Sequence, residues 1–63
     1  MFIKALDNPR EYDVFLGSGW TNWIRVKFIN NGVEVVKKSV EEIEPATLSL
    51  IFYKIKRLRR KKG

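Results

Sequence analysis

Two runs of alternating apolar and polar residues meet at Asn30-Asn31-Gly32, and one pairing register keeps their apolar side chains on a common face. Asparagine and glycine tolerate the positive φ that tight hairpin turns favour, so the cluster predicts a short connection. With Asn30 and Asn31 as the central residues, Phe28 lies opposite Val33, Lys27 opposite Glu34 and Val26 opposite Val35. One face then carries Ile24, Val26, Phe28, Val33 and Val35; the other carries Trp23, Arg25, Lys27, Glu34, Val36 and Lys38. A slip of one residue would mix the two sets, because strand side chains alternate with a period of two. A hairpin over residues 20–39 with one apolar face is not stable alone, so the rest of the chain must cover it.

The cover is legible near the C-terminus. Leu48, Ile51, Phe52, Ile55 and Leu58 recur at the i, i+3, i+4, i+7 spacing of a helical stripe, with Leu50 and Tyr53 at its flanks. A helix over residues 45–62 follows, with Pro45 at its first position or Thr47 as its cap. Eighteen residues would extend about 27 Å at 1.5 Å per residue. The last four or five, crowded with like charge, are expected to fray.

Ahead of the hairpin, residues 2–6 read as a strand ended by Asp7-Asn8-Pro9-Arg10. Residues 12–16 read as a second, with Tyr12, Val14 and Leu16 on one side and Asp13 and Phe15 on the other. Gly17-Ser18-Gly19 is then expected to be a mobile connection. Ser39-Val40-Glu41-Glu42 has capping-box spacing, so a helical turn there and a strand continuing to Ile43 both stay open; Pro45 ends either one.

At 63 residues the chain is a single domain, mainly β over 1–44 with the helix over 45–62. The fold class is α+β: a small antiparallel β-sheet or SH3-like open barrel of three to five short strands, with a C-terminal amphipathic basic helix packed on it. The order of short strands followed by a helix, with RVKF, NNG and VEVV in the hairpin, resembles small SH3-like barrels.

Composition removes most catalytic chemistry. There is no cysteine and no histidine, so disulfides, thiolate metal sites and imidazole ligands are excluded. Ser18 therefore has no histidine to activate it. Glu41, Glu42 and Glu44 form the one dense acidic group, read as a solvated capping turn that would also pair with the cationic tail when no partner is bound. No enzyme activity, metal or cofactor is expected. The first ten residues lack the apolar run of a signal peptide, and the longest near-apolar run, residues 46–53, is far short of the roughly 20 that span a bilayer. A cytoplasmic protein without a transmembrane segment is expected.

Charge is distributed unevenly. Residues 1–53 carry six basic and all seven acidic side chains, a net of −1, whereas residues 54–63 carry seven basic and no acidic ones, which restores the total of +6. Lys54, Lys56, Arg57, Arg59, Arg60, Lys61 and Lys62 are thus candidate phosphate contacts, since neutralising backbone phosphates releases condensed counterions. Trp23, Arg25 and Lys27, with Lys38 across from Trp23, form a second candidate surface, where a ring stacks on a base beside phosphate-binding cations. Trp20 and Thr21 would extend it. The partner expected is nucleic acid, DNA or RNA, bound with little sequence specificity.

Length, charge and the absence of cysteine are also similar to those of the seven-kilodalton chromatin proteins of thermophilic archaea, which coat DNA from a sheet face. Here most of the charge lies on the helix, so no binding residue is carried over from them. The alternative reading is a protein-interaction or inhibitor module, docking on a partner or a second copy through the helix stripe or a sheet edge. Peripheral membrane contact is disfavoured, because the stripe needed for it must cover the sheet.

Overall fold

The alternating segments become strands and the 3.6-period stripe becomes the helix. A computed structural model describes residues 1–17 and 21–61, with Lys61 described for its backbone only. The elements are β1 (Phe2–Ala5), β2 (Glu11–Phe15), β3 (Trp23–Ile29), β4 (Gly32–Lys38) and α1 (Pro45–Lys61). The four strands form one antiparallel sheet in the order β1-β2-β3-β4, an open meander with free edges at β1 and β4. Ser18, Gly19, Trp20 and Lys62 lie outside the described residues.

The hairpin adopts the expected register: Phe28 pairs with Val33, Lys27 with Glu34 and Val26 with Val35. Two details differ. No described residue has a positive φ, so the turn at Asn30 and Asn31 does not use the conformation for which asparagine and glycine are favoured. A bulge between Arg25 and Val26 then shifts the pairing, leaving Val36 as the extra residue and setting Arg25 opposite Lys37 and Ile24 opposite Lys38.

The inner face holds the core. Tyr12, Val14, Ile24 and Val26 from the sheet are buried against Ile51 and Ile55 of α1. Ile3, Leu16, Phe28, Val33, Val35, Val40, Ile43 and Leu48 pack around this centre. The Phe28 and Phe52 rings stack with centroids 5.4 Å apart, a pairing worth about 0.5–1.5 kcal/mol beyond area burial. Of the predicted stripe, Leu58 alone is largely exposed, at 45%. It borders open grooves beside β1 instead of entering the core.

Residues 39–44 form neither a helical turn nor a strand. Ser39 is drawn to the hairpin: its Oγ accepts from the Trp23 amide at 2.8 Å and donates to the Thr21 carbonyl at 2.7 Å. A hydroxyl used this way cannot cap a helix at Glu42. The helix begins at Pro45, and the Glu44 carbonyl accepts from the amides of Thr47 (2.9 Å) and Leu48 (3.3 Å). Proline suits that first position, since its missing N–H would have no intrahelical partner. The helix then continues through Lys61, so its final turn is present where fraying was expected.

Candidate functional site

Helical phase divides the basic block into two groups with different surroundings. Ile51 and Ile55 face the sheet, and at 100° per residue Arg59 falls on that same side, one turn beyond Ile55. Arg59 Nη1 donates to the Pro9 carbonyl at 3.0 Å and to the Tyr12 hydroxyl at 3.1 Å. Its guanidinium carbon lies 4.7 Å from the centre of the Phe28 ring. Arg59, predicted as a phosphate contact, is thus occupied in fastening α1 to the sheet and to the turn before β2.

Lys54, Lys56, Arg57 and Arg60 are exposed on the flanks and outer side of α1, with Tyr53 among them at 58% exposure. The Arg57 guanidinium sits 5.9 Å from the Tyr53 ring centre, and Lys56 Nζ sits 5.5 Å from that of Phe52. Among the described residues the one ion pair is Arg25 with Asp13, so these four helix cations have no carboxylate partner. Lys61 continues the helix, its side chain undescribed.

The expected pairing of Glu41, Glu42 and Glu44 with the tail is absent among the described residues. Helix length explains why. Glu44 adjoins the start of α1, whereas Arg57 lies thirteen positions further on, roughly 20 Å along a rigid helix.

The hairpin surface is less cationic than its sequence suggests. Arg25 donates to Asp13 through Nε at 2.8 Å and through Nη2 at 3.2 Å. That hydrogen bond, the Asp13 charge and more weakly Glu11 raise the Arg25 pKa, while desolvation opposes the shift. Lys27 stands between two carboxylates in register, Glu11 on β2 and Glu34 on β4. Lys38 is not across from Trp23, because the bulge brings Ser39 there; Lys38 Nζ donates instead to the Glu41 carbonyl at 2.8 Å. Trp23, half-buried, remains on the outer face.

Two outer-face residues outside the sequence-based set join Trp23. Phe2 pairs with Phe15 and Phe15 with Trp23, so the three lie in one row across β1, β2 and β3. The Phe2 and Phe15 ring centroids are 6.0 Å apart. The alternation of β2 already placed Phe15 opposite Tyr12 and Val14, but the register of β1 was unreadable over so short a run.

No family model, curated protein or solved structure matches the chain.

Proposed function

We propose that the chain is a small nucleic-acid-binding module with little sequence specificity, acting by binding alone in the cytoplasm, with no bond made or broken. The observation that carries this reading is the group Lys54, Lys56, Arg57 and Arg60, exposed on one helix without a carboxylate partner among the described residues. Their ammonium and guanidinium groups are donors only, and guanidinium geometry matches phosphate oxygens. Tyr53 adds an exposed ring beside them.

Four phosphate contacts give a log–log salt slope of about −3.6 on duplex DNA, roughly a hundredfold loss of affinity between 50 and 200 mM salt. The test is a salt series of fluorescence anisotropy titrations with labelled DNA and RNA. It compares the full chain with the quadruple variant Lys54→Gln, Lys56→Gln, Arg57→Gln, Arg60→Gln. Loss of affinity together with a flattened slope supports the reading. An unchanged slope in the variant places binding elsewhere, and absence of binding by the full chain at low salt refutes it.

A further inference from the structure

The aromatic row and the helix cations meet at the free edge of β1. Met1, Phe2 and Ile3 form one wall of an open groove of about 380 Å³, and Lys54, Arg57 and Leu58 form the other. Among the described residues no carboxylate lines it. From that edge the row Phe2, Phe15, Trp23 crosses the face opposite α1, over two strand spacings or about 10 Å. Phe2 is 55% exposed at the edge end.

One pleat repeat away, roughly 7 Å along the strands, lies a row of Lys4, Asp13, Arg25 and Lys37. Asp13 is neutralised by Arg25, while Lys4 and Lys37 are exposed and form no ion pair among the described residues.

We propose that the ligand is single-stranded nucleic acid, with phosphates along Lys54 and Arg57 and bases crossing the β1 edge to stack on the row from Phe2 to Trp23. The proposal rests on the phosphate-binding reading above and adds the class of strand. Rings on a sheet face stack unpaired bases, whereas duplex bases already cover one another's faces. Charge also selects this occupant over a second copy. Joining two β1 edges would bring Lys54 and Arg57 of both chains together, with no carboxylate among the described residues of the groove to offset them.

The test compares a labelled oligothymidylate with a duplex of matched length, by anisotropy at low salt, for the full chain, Phe2→Ala, Phe2→Leu and the double variant Lys54→Gln, Arg57→Gln. Circular dichroism confirms that each variant is folded. The full chain is expected to prefer the single strand. Phe2→Ala should weaken single-strand binding about 5- to 150-fold, the range for losing one base–ring stack, and leave duplex binding unchanged. Phe2→Leu should behave like Phe2→Ala, because leucine restores apolar bulk without a flat face. The double variant should weaken both ligands.

Rescue by Phe2→Leu overturns the proposal, as does a Phe2→Ala effect that is absent or equal on both ligands. The phosphate-binding reading survives either result if the double variant still weakens binding. Binding of poly-glutamate with no binding of nucleic acid would overturn both.

Discussion

Replacing Arg59 by glutamine separates a cation with structural contacts from its neighbours proposed to bind phosphate. The side chain makes two hydrogen bonds to uncharged oxygens and one contact with the Phe28 ring. Each such hydrogen bond contributes about 0.5–1.5 kcal/mol net, and an exposed cation–π contact about 0.5–1 kcal/mol. At this exposed site the lower values apply, giving about 1.5 kcal/mol. In a domain of this size that is a fall in Tm of about 6–12 °C.

Two further effects accompany any lost charge here: a weaker interaction with the helix dipole and relief of repulsion between like charges, each a few tenths of a kcal/mol and opposite in sign. Arg60→Gln shares both effects but makes none of the Arg59 contacts, so the difference between the two variants isolates those contacts. Thermal melts followed by circular dichroism should show Arg59→Gln melting well below Arg60→Gln. Salt titrations with duplex DNA should show the reverse dependence: Arg60→Gln flattens the slope by about 0.9 and Arg59→Gln leaves it unchanged. Equal melting temperatures together with equal slopes would refute the division of labour along α1.

Further predictions concern the core, the turn and the sheet face. Ile55→Ala should cost about 2–5 kcal/mol in urea unfolding and leave little folded protein, whereas Leu58→Ala, on the same stripe but 45% exposed, should cost less than about 1 kcal/mol; equal costs would contradict the placement of Leu58. Gly32→Ala should stabilise by about 0.4–1 kcal/mol, since Gly32 has no positive φ and a Cβ there would meet nothing within 4 Å. A destabilised variant would mean that the turn needs a positive φ after all. Asp13→Asn should lower stability only slightly and tighten DNA binding in anisotropy titrations by freeing Arg25; weaker binding would show that the pair orders the surface for its ligand.

The sequence carried the hairpin register because an error there exchanges apolar for charged residues on the inner face. It did not carry the bulge. Val36, Lys37 and Lys38 are exposed, so a shift among them exposes no core residue and leaves no hydrophobic signature. The helix phase was legible from Leu48 to Ile55, and the same phase points Arg59 inward. A count of charges hides that, because all seven basic residues look alike until the partner surface is known. Arg25 and Lys27 looked available for the corresponding reason: Asp13 meets Arg25, and Glu11 comes into register with Lys27, only once β2 pairs with β3, across a connection whose length fixes no register. Tyr12, Val14 and Phe15 declared their faces by alternation. Phe2 did not, and with it the continuity between aromatic row and helix stayed hidden. The structure also rules out truncation after Tyr53 as a way to remove the basic end, since Ile55 is fully buried. Charge substitutions are the appropriate perturbation.

The most direct test of the helix as the binding surface is an amide chemical-shift map of the full chain during titration with an oligonucleotide. Shifts concentrated from Tyr53 to Arg60, with smaller ones at Phe2 and Trp23, are predicted. Perturbations concentrated on β4 and residues 39–44, with α1 unmoved, would contradict the account.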